Sequence, residues 1–475
     1  MREQPVRLAR RSTVMAAGTV LSRATGFGRV LALAYALGFN RLSDAYNLAN
    51  TMPNIVYELV LGGVVSATVV PVFVALFDDE QEADPWRGVA AVTTLVLTVT
   101  IALSVLFAVA APLLIAPYTA LNDTATADDQ RRVVIDLMRF FAPQVALLSG
   151  MAIGSAILNA RRRFAAPMFA PVLNNVVAIG VLLALPHVIA EDAVRTLDLG
   201  SGLLLLGLGT TAGYAAQLLG LWPSLRAAGA RLRPVWDLDH PAVRAVIRLS
   251  GWTVGFVIAN QVAYAVVVAL ANRRSGHLSA YQAAFQFFQL PHAVVAVSIT
   301  GALLPELSSA SARGDRTAFL ALLHRGLRVV GALLVPAALV TVVLARPIVD
   351  VLLNHGALDA GDARLTADVL AAFALGLPGF SAFLLCTRAF QARRDTRTVF
   401  YLYVVENSLN VLLAVVLYPG LGARGLAYAF ACAYSLSAVG AYLLLRRPWA
   451  LDEGRLPLRP SRPQIDHQHS AEGTQ

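Results

Sequence analysis

The chain has 475 residues, 57% of them hydrophobic and only 14% charged, with a mean hydropathy of +0.63. Soluble domains carry about 25% charged residues, so this composition excludes a water-soluble enzyme or binding module and indicates a polytopic membrane protein. The net charge of +9 is carried by 38 arginines and no lysine, and their placement, given below, follows membrane topology and excludes nucleic acid as a partner.

About twelve runs of roughly 20 apolar residues, the length that crosses a hydrocarbon core, recur between Thr13 and Leu445. They span residues 13–38, 47–76, 88–117, 133–159, 167–190, 201–225, 245–271, 279–307, 320–346, 366–391, 398–417 and 424–445. The first is too long for a signal-peptide core and has no small-residue cleavage pattern behind it, so it is read as a permanent span. With the N-terminus in the cytoplasm, the inner segments hold 25 arginines and the outer segments nine. That bias predicts a multi-pass protein of the bacterial inner membrane with both termini cytoplasmic. Cys386 and Cys432 lie inside apolar runs and offer neither a disulfide framework nor metal-ligand spacing.

Span 1 contains SRATGFGRVLALAYALG, which places Arg23 about ten residues, or ~15 Å of helix, past the start of the apolar run. An arginine near mid-bilayer costs roughly 2.5–3.5 kcal/mol and usually faces a bundle interior or an aqueous cavity. Arg29 lies about 120° away on a straight helix, and Gly26 and Gly28 between them predict a break that turns both guanidiniums into one cavity. Two converging planar forks suit a diphosphate, with bidentate charge-assisted bonds. The competing reading pairs Arg23 with Glu58 or Asp44 and lets Arg29 snorkel to the surface.

Span 2, DAYNLANTMPNIVYELVLGGVVSATVVPVF, carries Pro53, Gly62 and Gly63 as hinge candidates. Glu58 is an intramembrane carboxylate, a candidate ion or proton site or a counter-charge. Between spans 6 and 7 lies the longest polar connection, with two prolines and five arginines. It divides the chain into an N-terminal lobe (1–228), a linker (229–244), a C-terminal lobe (245–447) and a disordered cytoplasmic tail (448–475). The halves echo each other: Ala160, Arg161, Arg162 and Asn175 each stand 232 residues before Ala392, Arg393, Arg394 and Asn407, and DAYNLA at Asp44 matches SAYQAA at Ser279. Six spans per half make these parallel repeats, a transporter pattern with the site between lobes.

SRATGFGR, DAYNLANTMPN and GGVVSATVVPVF, with FQLPHAVVAVSITGALLPELS in span 8, resemble the MurJ (MviN) lipid II flippases of the MOP exporter superfamily, in order and in spacing over residues 10–447. The resemblance implies an all-α MATE-like fold of two six-helix lobes around a central cavity. It also implies a non-enzymatic flippase for the undecaprenyl-pyrophosphate-linked peptidoglycan precursor, lipid II, working among membrane lipids and cell-wall synthesis or division proteins. Carried over by motif, Arg23 and Arg29 match the family's functional arginines, Asp44 its acid at helix two and Ser279 its serine opening helix eight. The chain departs where the best-studied branch has an arginine after the Pro-Asn motif, here Tyr57 and Glu58. It departs again where that branch has an arginine and a glutamate before the helix-eight proline, here Gln286 and Gln289. That branch also has two further C-terminal helices thought to hold the lipid tail, and no apolar run follows Leu445 here.

Span 11 carries Glu406, Asn407 and Asn410, with Glu406 and Asn410 on one helix face. Together with Asn260 and Gln261 of span 7 they form a candidate cation or proton site, and coupling to Na+, H+ or the membrane potential is expected without any bound cofactor. The alternatives are a flippase for another polyprenyl-linked oligosaccharide and a non-transporting scaffold of the cell-wall machinery. No loop carries the acid, base or metal cluster of a membrane enzyme.

Overall fold

The computed structural model describes residues 3–61, 68–79, 84–120, 127–189 and 197–447, and every regular element among them is helical. The first half comprises α1 (Glu3–Leu37), α2 (Arg41–Leu61), α3 (Val70–Asp78), α4 (Pro85–Thr119), α5 (Ala127–Phe141), α6 (Pro143–Ala160), α7 (Ala165–Ala184) and α8 (Ser201–Ala227). The second comprises α9 (Pro241–Ala271), α10 (His277–Ala312), α11 (Arg316–Leu353), α12 (Ala360–Leu375), α13 (Leu377–Ala392), α14 (Thr396–Leu421) and α15 (Ala423–Arg446). With α2–α3, α5–α6 and α12–α13 each counted as one two-segment pass, the described helices trace twelve passes, six in each half.

Length and hydropathy alone identify seven of these helices as membrane spans, and also α10 and the α12–α13 pair, each bent by more than 40°. The passes they miss are α1, α2–α3 and α9. α1 and α2–α3 carry Arg23 and Arg29, and Asn50 and Glu58, into a cavity, and that polarity lowers their hydropathy, whereas the described part of α9, Val257–Ala271, is apolar but short. The outer faces are apolar, as lipid requires: Val109, Leu113, Val294 and Val343 are 72–76% exposed.

Small residues set the closest contacts. On α8 a Cβ at Gly209 would meet Val181 at 2.5 Å and one at Gly213 would meet the Asn174 side chain at 2.5 Å, so this GxxxG face lets α8 lie directly on α7. The bend of 45° between α12 and α13 falls at Gly376, where a Cβ would stand 2.6 Å from the Ala431 backbone of α15. The fourth pass is interrupted at Ala142, because Pro143 has no N–H to continue α5.

The expected break in α1 does not occur. The helix runs without interruption from Glu3 to Leu37, through both Gly26 and Gly28. These glycines instead face α7, where added Cβ atoms would meet Asn175 at 3.5 Å and Ile179 at 3.4 Å. α2 likewise continues as helix through Pro53. Gly62 and Gly63 lie outside the described residues, as does the tail from 448. α9 begins at Pro241, four residues before the expected start, with His240 Nδ1 accepting the Ala242 N–H at 3.2 Å.

Packing is concentrated within each half, α1 on α7 and α7 on α8 in the first, α11 on α12 and α14 on α15 in the second. Contacts between halves run chiefly from α9 to α4 and α2, and from α10 to α2. The sequence echo is visible in three dimensions. Asn175 of α7 donates to Ser22 O and Thr25 Oγ1 of α1 at 3.2 and 3.0 Å, and Asn407 of α14 donates to Asn260 Oδ1 of α9 at 2.8 Å. The fifth pass of each half is thus tied to its first by the matching asparagine.

Arg162 and Arg394, the other matched pair, both adopt left-handed backbone (φ 57° and 61°) in the tight turns after α6 and α13. A non-glycine residue pays about 1 kcal/mol there. Arg162→Gly is therefore expected to raise the unfolding midpoint in detergent by about 1–2 °C, measured by thermal denaturation; an unchanged or lower midpoint would mean the arginine side chain more than offsets the strain.

Candidate functional site

Between the halves lie three contiguous chambers. One of about 360 Å³ is lined by Arg23, Ser22, Gly26, Asn175 and Gln286. A second, of about 230 Å³, shares Gly26, Asn175 and Gln286 with it and adds Arg29, Asn47 and Ser279. The third, of about 500 Å³, joins through Asn50, Gln282 and Gln286 and extends to Glu58, Asn260, Gln261, Gln289, Asn407 and Asn410.

Arg23 and Arg29 therefore border one continuous cavity although α1 is unbroken. The length of the arginine side chain covers the 120° between them, and Gly26 leaves the wall between them bare. Among the described residues no carboxylate lies within 4 Å of either guanidinium. The pairing of Arg23 with Glu58 or Asp44 is not what the structure contains. Arg29 is held by a relay that the sequence did not reveal: its Nη2 donates to Tyr46 Oη at 3.3 Å, and Tyr46 Oη lies 3.1 Å from Thr210 Oγ1. Tyr46 is itself buried against Phe141, edge to face. A tyrosine oxygen anchors a guanidinium without neutralising it, which leaves the positive charge available to an anion.

The third chamber has a different chemistry. Its polar walls are almost all amides and tyrosines, Glu58 is its one charged wall residue among the described residues, and Phe430 and Tyr434 add aromatic faces. Amides both donate and accept, and so match hydroxyls and peptide groups rather than net charge. Glu406 stands behind this chamber, fully buried on the same face of α14 as Asn410. Neither Glu406 carboxylate oxygen, nor Asn410 Oδ1, has a hydrogen-bond partner among the described residues.

Asp44 and Ser279 are placed together, in a clamp at one end of the cavity. Asp44 is completely buried and accepts three hydrogen bonds from α10 and its N-cap: Ser279 N at 2.9 Å, Ser279 Oγ at 2.7 Å and Gly276 N at 2.7 Å. The α10 N-cap, Gly276, has no side chain, so the carboxylate that caps this helix comes from the other half of the molecule. One turn earlier on α2, Arg41 donates to the carbonyls of Asn272 and Arg273 at 2.9 and 3.1 Å, at the C-terminal end of α9. The first turn of α2 thus places an anion on a helix N-terminus and a cation on a helix C-terminus, each matched to its dipole. Gly276 is left-handed (φ +77°) and a Cβ there would run into Phe39 O, so glycine is required where the halves meet. Ser279 Oγ also accepts from Asn47 Nδ2 at 3.0 Å and reaches the cavity wall, whereas Asp44 sits behind it.

The architecture matches solved structures. A lipid II flippase MurJ in an inward closed conformation superposes with a TM-score of 0.76 at 21% identity, covering 92% of this chain and 88% of that one. An inward-facing MATE family transporter of the MOP superfamily gives 0.70 at 12% identity, covering 89% and 94%. Two six-helix lobes, with a polar cavity between them clamped at one end, place the chain in the fold class of these polytopic helical membrane proteins. Within that class, a family model described as lipid II flippase MurJ matches residues 33–458. A probable lipid II flippase MurJ of Rhizobium meliloti (strain 1021) is 30% identical over 458 residues, 94% of this chain and 82% of its own length. The lipid II flippase MurJ of Burkholderia cenocepacia is 28% identical over 435 residues, 90% of this chain and 82% of its own. The chain belongs to the lipid II flippase MurJ family.

Proposed function

We propose that the protein moves lipid II from the inner to the outer leaflet of the bacterial cytoplasmic membrane by alternating access, with the diphosphate held by Arg23 and Arg29. The observation that carries this reading is the pair of cavity guanidiniums with no carboxylate partner among the described residues, opposite an amide-rich chamber large enough to continue the same ligand. A diphosphate-linked glycopeptide divides its chemistry the same way, with two charged phosphates at one end and uncharged hydroxyl and amide groups at the other. Gln286 borders all three chambers and Gln289 the third, so both are assigned to the sugar-proximal part of the substrate. The arginine-rich helix ends are assigned to the cytoplasm, which puts the Asp44 clamp on the outer side. The cavity would then load from the inside and release outward when the clamp opens.

Transport of fluorescent lipid II in proteoliposomes tests this reading. The expected result is a flipping rate well above that of protein-free vesicles, and an unchanged rate with well-folded protein would remove it.

Glu406 and Asn410 are assigned to coupling. A buried carboxylate with an amide oxygen one turn away offers hard oxygen ligands to a sodium ion, or a site for a proton. Glu406→Gln is expected to leave the fold intact, because it removes an uncompensated buried charge. It should also abolish any dependence of transport on an imposed Na+ or H+ gradient. Gradient dependence equal to wild type in this variant would relocate the coupling site.

A further inference from the structure

Glu58 is a cavity charge that a diphosphate held by arginines leaves unused. It stands on α2 in line with Asn50 and Asn54, one helical turn apart each, and all three border the third chamber. Its side chain is half-buried and forms part of the wall, unlike Glu406, which is fully buried behind it. Among the described residues no arginine or histidine lies within 4 Å of the Glu58 carboxylate. A carboxylate in the membrane interior is costly and is normally paired. An unpaired one on a cavity wall calls for a cation from outside the chain.

The cavity is divided by sign. Among the described residues, Arg23 and Arg29 border the first two chambers, which have no acidic wall residue, and Glu58 borders the third, which has no basic one. The amides of the third chamber are also turned one way. Asn54 Nδ2 donates to Asn50 O at 2.8 Å, Gln282 Nε2 to Thr51 Oγ1 at 3.2 Å, and Asn407 Nδ2 to Asn260 Oδ1 at 2.8 Å. With their nitrogens engaged by the protein, these side chains offer the chamber their oxygens, so its walls accept more than they donate. Phe430 lies 4.5 Å from Tyr434 and 5.7 Å from Phe285, centroid to centroid, and all three rings border the chamber. A carboxylate, amide oxygens and aromatic faces together suit an ammonium group.

We infer that the third chamber is a subsite for a primary ammonium on the peptide part of the substrate, with Glu58 as its counter-charge. This inference rests on the flippase reading and adds to it the class of stem peptide carried, one with a diamino acid whose side-chain amine is free. The dimensions fit. From Asn50, where the second and third chambers join, Glu58 lies eight residues along α2, or ~12 Å at helical rise. Three or four extended residues cover roughly that distance. A peptide that leaves its sugar beside Gln286 therefore brings a side chain near its third residue to Glu58. Acylation of that amine removes the ion pair and leaves Glu58 uncompensated against the bound substrate.

Native mass spectrometry of the full-length protein in neutral detergent tests the subsite. The ligand is an equimolar mixture of lipid II with a free lysine amine in its stem and the same lipid acetylated on that amine. Wild type is expected to retain the free-amine form about tenfold over the acetylated one, the discrimination of one charge-assisted contact. Glu58→Gln is expected to bring the ratio close to one, and Glu58→Asp to keep part of the preference. Undecaprenyl diphosphate, which has no peptide, is expected to bind wild type and Glu58→Gln alike, showing that the variant is folded. Equal retention of the two lipids by wild type, or an unchanged preference in Glu58→Gln, would overturn the ammonium subsite and leave the flippase reading standing. A loss of both lipids from Glu58→Gln with the preference kept would also overturn it, by making Glu58 a structural group. Retention of neither lipid by wild type would remove the flippase reading and this inference together.

Discussion

Replacing Arg29 by alanine is expected to lower the affinity for a diphosphate-linked lipid headgroup by about 10- to 100-fold, with a comparable loss for Arg23→Ala. The magnitude follows from the chemistry, since a hydrogen bond to a charged group contributes about 1.5–3 kcal/mol and each tenfold in affinity is about 1.4 kcal/mol. The structure also predicts how the two variants differ. Arg29 is held by Tyr46 and Thr210, so it is pre-positioned, and Tyr46→Phe should reproduce part of its loss by releasing the guanidinium. Arg23 is exposed to the cavity with no such tether among the described residues, and it should contribute charge more than geometry. Arg23→Lys is therefore expected to retain most of the affinity, and Arg29→Lys, which loses the planar fork, to retain little. Titration of the purified variants with a fluorescent undecaprenyl diphosphate analogue measures all five affinities. Equal tolerance of lysine at both positions would contradict the assigned roles.

The second large effect concerns the clamp. Asp44→Asn removes the charge that caps α10 across the lobe interface and presents an NH2 group to donors that already point at Asp44. Disrupting a fully buried charged group costs about 3–5 kcal/mol. Because the bonds exist only while this end is shut, most of that cost falls on the closed state, and a shift of about 3 kcal/mol is more than a hundredfold in population. With Cys432, the one exposed thiol among the described residues, replaced by alanine, Asn50→Cys reports access to the cavity. Labelling by an impermeant maleimide added outside cells is expected to be slow with Asp44 present and fast with Asp44→Asn. Unchanged labelling, with the variant folded and in the membrane, would mean that the clamp is not what holds this end closed.

Much of this was legible in the sequence because membranes punish exceptions. Apolar runs gave the spans, and arginines that survive in mid-bilayer marked the cavity wall. The echo of Asn175 in Asn407 predicted paired halves, and the two asparagines make the same inter-pass contact. The glycines of span 1 misled for an identifiable reason. Glycine permits a break, and it equally permits close packing; only the partner helix decides, and Asn175 and Ile179 of α7 lie close enough to decide for packing. The Tyr46 relay was invisible because its members, Arg29, Tyr46 and Thr210, lie on three different helices with no periodic relation. Asp44 and Ser279 were picked out together by the repeat and by family resemblance, yet their direct hydrogen bond depends on how two lobes meet, which no local pattern encodes.

The most direct test of the central claim is leaflet-resolved accessibility of lipid II in bacteria depleted of their own flippase and expressing this protein. Wild type is expected to restore lipid II to the outer leaflet, and Arg23→Ala and Arg29→Ala, at equal membrane abundance, are expected to leave it inside. Outer-leaflet lipid II restored equally by both variants would contradict a diphosphate held by these two arginines.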